Sequence, residues 1–99
     1  MSGISFTRLN ADLRPRHPII IHELLPEGRL EGREWVALNP TRKDRHPGSF
    51  RINIVTGFWA DFATGDKGGD VIALCAYLKN CSQIEAARRL INMTAVGHG

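Results

Sequence analysis

The sequence predicts a small α+β domain, an antiparallel sheet flanked by helices, on three observations. Phe50-Arg51-Ile52-Asn53-Ile54 alternates strictly, which puts Phe50, Ile52 and Ile54 on one face of a strand and Arg51 and Asn53 on the other. Thr56-Gly57 has turn chemistry and leads into a second alternating run, Phe58 to Phe62, so the two runs read as a hairpin. Beyond them, Asp70 and Ser82 each stand where a helix N-cap belongs, ahead of apolar residues at helical spacing.

In chain order, residues 1–17 are mixed and polar, with weak helical spacing over Phe6 to Leu13 before Arg14-Pro15-Arg16-His17-Pro18 interrupts it. Pro18 suits the first turn of a short helix whose apolar positions are Ile19, Ile20, Leu24 and Leu25, and Pro26-Glu27-Gly28 stops it. Arg33 to Leu38 reads as a first strand with imperfect alternation, and Asn39 to Gly48, polar and proline-bearing, as a loop. The hairpin strands follow at 49–55 and 58–62. Gly65-Asp66-Lys67-Gly68-Gly69-Asp70 could expose backbone N–H groups to a phosphate, but it lacks the order of a nucleotide-binding loop and its aspartates repel phosphate. A tight turn ending in a helix cap is the favoured reading. That helix carries Val71, Ile72, Leu74, Cys75 and Leu78; the last, opened by the capping box Ser82-Gln83-Ile84-Glu85, packs through Ala86, Ala87, Leu90 and Ile91. The expected organisation is an N-terminal helical extension at 1–32, the sheet-bearing domain at 33–93 and a short, frayed tail at 94–99.

A length of 99 residues with 42% hydrophobic content suits one compact domain with its own core. The formal charge of +3 and pI near 9.3 point weakly toward nucleic acid. Distribution says more: Arg42, Lys43, Arg45 and Arg51 fall within ten residues that contain one acid, Asp44. Cys75 and Cys81 have neither knuckle spacing nor the count for a metal site, and read as free thiols of a cytoplasmic protein. His17, His22, His46 and His98 are scattered without ligand spacing. No apolar run reaches membrane-spanning length and no signal peptide is recognisable, so no membrane partner is expected. Neither Ser82 nor Cys75 has a partnered histidine in the pattern, so the chain is not expected to be an enzyme.

Between Asn39 and Asp70 the order of parts is that of a zinc ribbon: Asn39-Pro40-Thr41-Arg42, then Pro47-Gly48-Ser49-Phe50 into a strand, a turn, an aromatic strand into Asp61-Phe62-Ala63-Thr64, and a glycine-rich loop before a helix. This resembles the N-terminal zinc-binding domain of bacterial replicative primases, in which Cys-Pro-x-His opens the ribbon and Cys-x-x-Cys closes it. Gly-Arg-Glu-Trp at 32–35 and Trp-Ala-Asp-Phe-Ala-Thr-Gly-Asp at 59–66 are closer still to a zinc-free version at the start of primase-helicase proteins of plasmids, phages and integrated elements. The resemblance covers roughly 33–90. It implies a primase zinc-ribbon-type sheet without metal, in which Asn39, Arg42, Asp61 and Thr64 stand at the ligand positions. None of Asn39, Arg42 or Thr64 is a normal zinc ligand, and no cofactor is expected. These four either make hydrogen bonds or an Arg-carboxylate pair where the metal sat, or are ordinary turn and strand residues.

The resemblance also implies a function. In primases this domain contacts single-stranded template, while a separate Toprim domain holds the catalytic metal through acidic residues; this chain has no Asp-x-Asp motif and no room for that domain. It is expected to be a template-binding module serving a helicase, primase or polymerase, with single-stranded DNA as its partner. The alternative is an adaptor that docks on such an enzyme without binding DNA, through an exposed patch of Trp35, Ile54, Phe58 and Trp59. For DNA binding the candidate cations are Arg42, Lys43, Arg45, Arg51 and Lys67. Trp59 has the parity opposite to Phe58, Ala60 and Phe62; if those three face the core, it points outward as a stacking platform, and otherwise it covers a second small core with Trp35.

Overall fold

In a computed structural model, residues 3–43 and 45–95 are described. They form α1 (Phe6–Leu13), a 3-10 turn (Arg14–Arg16), α2 (His17–Leu24), β1 (Arg29–Glu31), β2 (Glu34–Ala37), β3 (Phe50–Asn53), β4 (Trp59–Asp61), β5 (Lys67–Gly68), α3 (Val71–Lys79) and α4 (Gln83–Thr94). The sheet runs β1-β2-β3-β4-β5 with every neighbouring pair antiparallel. Side chains of all four α-helices pack with Ala37, Phe50, Ile52 and Trp59 in one core on the inner face of the sheet. No described helix is long and apolar enough to cross a membrane.

Local chemistry explains the helix starts. Ser5 accepts from the Arg8 N–H at 3.3 Å, Asp70 from Ala73 at 2.8 Å and Ser82 from Glu85 at 3.1 Å, each satisfying a donor that a helix N-terminus leaves unpaired. Asn80 and Ala95 end α3 and α4 in the left-handed conformation, at φ 52° and 60°. The expected tail therefore begins inside α4, whose last residue is Thr94 and whose C-cap is Ala95; residues 96–99, with His98, lie outside the described residues, as does Asp44.

Two edge strands were not expected. β1 and β5 have three and two residues, too few for alternation to register. The boundary drawn between residues 32 and 33 falls in the β1–β2 turn, and Leu9, Leu13, Ile20, Ile21 and Leu25 from the N-terminal segment share the common core. Gly28 is required sterically: any Cβ there would collide with the Trp35 indole, whose Nε1 donates to the Leu25 carbonyl at 2.8 Å.

Ile52 and Leu74 are fully buried, one on the inner sheet face and one on α3. Truncation of either to alanine is expected to cost about 2 to 4 kcal/mol, read from the denaturant midpoint at unchanged slope. Losses below about 1 kcal/mol at both sites would contradict this core.

Candidate nucleic-acid interface

The outer face of the sheet is open beside β4, at Phe58 and Phe62, and covered at Val36 on β2. The register pairs Ile52 with Trp59 and Arg51 with Ala60, and cross-strand partners share a face. Ile52 points into the core, so Trp59 does as well. Trp59 is 5% exposed, with its ring 6.3 Å from Phe50 and 4.7 Å from Tyr77. This corrects the outward orientation considered for Trp59: it is a core residue and offers no stacking platform. Gly68, its cross-strand partner, leaves room for the indole, because a Cβ there would come within 2.5 Å of Nε1. The outward positions belong to Phe58 and Phe62, 64% and 73% exposed.

Phe58 and Phe62 flank β4, four residues apart, roughly 13 Å at the usual rise of a strand. Between them is Ala60, flanked by Arg51 on β3 and Lys67 on β5. A groove of about 780 Å³ runs over this surface, lined by Glu34, Arg51, Asn53, Phe58, Phe62 and Lys67 among others. Phe62 N–H donates to the Ser49 carbonyl at 2.8 Å, which places the basic loop at the Phe62 end of the groove.

The candidate cations separate by their partners. Lys43, Arg45 and Lys67 are exposed and form no ion pair with a described residue. Arg51 is held in place: Nε donates to the Gly48 carbonyl at 2.9 Å, Nη1 to Glu34 at 3.0 Å and Nη2 to Glu31 at 3.4 Å. Its charge is offset locally. Arg42 is committed to Asp61, through Nε to Oδ2 at 2.9 Å and Nη2 to Oδ1 at 3.2 Å, with Nη2 also donating to Ser49 at 2.9 Å.

That pair lies where the ribbon's metal ligands were expected. Asp61 is fully buried and its Oδ2 also accepts from Asn39 Nδ2 at 2.8 Å, while Oδ1 accepts from the Ala63 N–H at 2.9 Å. Asn39, Arg42 and Asp61 therefore converge as a polar knuckle, the first of the two readings of these residues. Thr64 joins differently: its N–H donates to the Asp61 carbonyl at 3.2 Å and its hydroxyl accepts from the Asp66 N–H at 3.2 Å, so its side chain shapes the turn without reaching the carboxylate. Burial alone pushes the Asp61 carboxyl up. The hydrogen bonds from Arg42, Asn39 and Ala63, with the Arg42 charge, outweigh it and hold the group well below the ordinary carboxylate range.

Tyr77 completes the knuckle from α3. Its hydroxyl accepts from Asn39 Nδ2 at 2.8 Å and Thr41 Oγ1 at 3.1 Å and donates to Asp66 Oδ2 at 2.8 Å. Nothing in local spacing marks such a residue, because its three partners lie 11 to 38 positions away. Phe58 and Phe62 were visible as half of an alternating run, but Phe-Trp-Ala-Asp-Phe offers aromatics to both faces and leaves the inward one open. The exposed patch of Trp35, Ile54, Phe58 and Trp59 does not form, since Trp59 is buried and Trp35 and Ile54 are partly covered.

No protein-family model matches the sequence, and no curated protein does. Among solved structures, the fold is similar to the crystal structure of the Aquifex aeolicus primase comprising its zinc-binding and RNA polymerase domains. The TM-score is 0.77 at 22% identity, with 100% of this chain and 23% of that chain covered. At this identity the likeness concerns the fold: the α+β arrangement is that of a primase zinc-binding domain, and this chain spans less than a quarter of the length of that one.

Proposed function

We propose that the chain is the single-stranded DNA (template) binding module of a primase or primase-helicase replication system of a mobile element, acting in the cytoplasm beside a separate catalytic unit, and that its ribbon closes without zinc. The carrying observation is the open sheet face beside β4, where exposed Phe58 and Phe62 line a groove with Lys67, and where the Phe62 N–H bonds Ser49 at the end of the loop that carries Lys43 and Arg45. Unpaired bases stack on flat apolar side chains while cations follow the phosphates; a duplex hides its base faces and cannot use such a surface. The Arg42–Asp61 pair with Asn39 supplies the link between the segments at 39–42 and 61–64 that a metal would otherwise make. Among the described residues no group of three His, Cys, Asp or Glu is placed to hold a metal ion. Metal analysis of protein purified without chelator is therefore expected to find no stoichiometric zinc.

Oligonucleotide titration at several salt concentrations tests the binding. Each phosphate contact on a single strand contributes about −0.7 to the slope of log affinity against log salt, so Arg45→Ala or Lys67→Ala should flatten the slope by roughly that amount. Phe58→Ala and Phe62→Ala should each weaken binding by about 1 to 3 kcal/mol at nearly constant slope, because stacking releases no counterions. Absence of binding at low salt would shift the reading to the adaptor docked on a helicase, primase or polymerase. The apolar hollow of Ile19, Leu30, Trp35 and Ile54 favours that second reading.

A further inference from the structure

We infer that the free edge of β1 is a self-pairing surface: two copies of this chain join there antiparallel, centred on Leu30, and their sheets become one. The sheet order ends at β1, and no described strand lies beyond it. The ladder shows which backbone groups are left over at that edge. Glu31 and Glu34 close the β1–β2 hairpin across the two-residue turn Gly32-Arg33, and such a turn is closed by a hydrogen-bonded pair. The other side of β2 has the matching phase. Ile54 N–H donates to the Arg33 carbonyl at 2.9 Å, so alternate residues from Arg33 onward bond β3, and Glu34 and Val36 bond β1. Their partners are Glu31 and Arg29. Leu30, between these two, therefore directs its N–H and carbonyl away from β2 to the open edge, and its side chain is 54% exposed.

Edge strands are ordinarily guarded by short length and by charge. Here the charges select a partner. Arg29-Leu30-Glu31 read backwards is Glu-Leu-Arg, so antiparallel pairing of two copies about Leu30 sets each Arg29 opposite the partner's Glu31. Leu30 then faces the partner's Leu30 and exchanges two hydrogen bonds with it, while Gly28 faces the partner's Gly32 with no side chain on either. A parallel pairing in that register would set like charges side by side. Within one copy Glu31 already accepts from Arg29 Nε at 2.8 Å and Arg51 Nη2 at 3.4 Å, so the charges along the seam alternate in sign. Leu30 also walls an apolar hollow of about 410 Å³ with Ile19, Trp35 and Ile54, and Ile19 is 63% exposed. A second Leu30 extends this apolar surface across the seam and takes part of it out of water. The pairing is isologous, and its two-fold axis stands perpendicular to the sheet. The Phe58 and Phe62 faces of the two copies consequently lie on the same side.

Sedimentation equilibrium from about 10 μM to about 1 mM tests the pairing, a range set by the small interface, which predicts a weak dimer. Arg29→Glu or Glu31→Arg alone sets like charges opposite at both symmetric positions, and each should weaken dimerisation by at least about tenfold. An equal mixture of the two variants restores opposite charges across the seam. It should form a heterodimer at wild-type concentrations, which chains that had failed to fold would not do. Leu30→Pro removes an N–H that the ladder within one copy does not use, so it should abolish the dimer and leave the unfolding midpoint at low concentration nearly unchanged. A wild type that is monomeric throughout overturns the self-pairing, also where its edge takes up a strand of another protein. Single variants that dimerise as wild type does, or a mixture that stays monomeric, overturn it equally.

Discussion

Arg42→Ala is expected to cost about 3 to 5 kcal/mol of folding stability, the usual penalty for removing one partner of a buried ion pair. Asp61 is completely enclosed and the Arg42 side chain is 29% exposed, so the carboxylate has little recourse to water once the guanidinium is gone. Asn39 and Ala63 would remain as its donors, and neither carries charge. For a domain whose total stability is on the order of 5 to 15 kcal/mol, such a loss brings the midpoint of unfolding close to working conditions. Thermal and urea unfolding of Arg42→Ala, set beside Arg51→Ala, check it. The two arginines have equal side-chain exposure, but Arg51 pairs with the partly exposed Glu31 and Glu34, so its removal should cost about 1 kcal/mol or less. Equal losses at the two positions would mean that the knuckle is not a structural centre.

The same carboxylate predicts an acid limb. Its pKa is lower in the folded protein than in the unfolded chain, so its contribution is fully present above about pH 4, the ordinary aspartate value, and declines as pH falls below that toward the depressed folded value. Asp61→Asn removes this proton linkage. Its stability should be lower than wild type at neutral pH and change less between about pH 4 and pH 2.

Trp59→Ala should cost about 3 to 5 kcal/mol, as expected for truncating a buried aromatic that packs on Phe50 and Tyr77. The protein that remains folded should retain its affinity for single strands, because the indole is buried against Phe50 and Tyr77 while Phe58 and Phe62 are the exposed aromatics of the groove. Phe58→Ala is the reciprocal case: stability within about 0.5 kcal/mol of wild type, affinity reduced. Unfolding curves and oligonucleotide titrations on both variants separate the roles. A Trp59→Ala protein of normal stability with weakened binding would reverse the assignment of the two aromatics.

Much of this was legible in the chain. Asp70 and Ser82 marked helix starts because a cap acts on donors two or three residues away, within reach of local sequence. The β3 strand was legible because its two faces differ in polarity at every step. Asn39, Arg42, Asp61 and Thr64 stood out because they fall where the resemblance expects ligands, and three of them do converge.

Only the tertiary structure decided which face of β4 is buried. Phe58 to Phe62 carries apolar side chains on both parities, and the count through the turn settles which parity continues the core face of β3. That turn is held by Asn53, whose Oδ1 accepts from the Val55 and Thr56 N–H groups at 2.8 and 3.0 Å. Likewise, Arg42 looked equivalent to Lys43 and Arg45 along the chain. Burial of Asp61 nineteen residues away turns it into a structural counter-ion, because an enclosed carboxylate draws the nearest cation far more strongly than solvent does. Periodicity and capping act over a few residues and are written in order along the chain; the choice of face and the choice of ionic partner depend on what the fold encloses, and enclosure is a property of the assembled core.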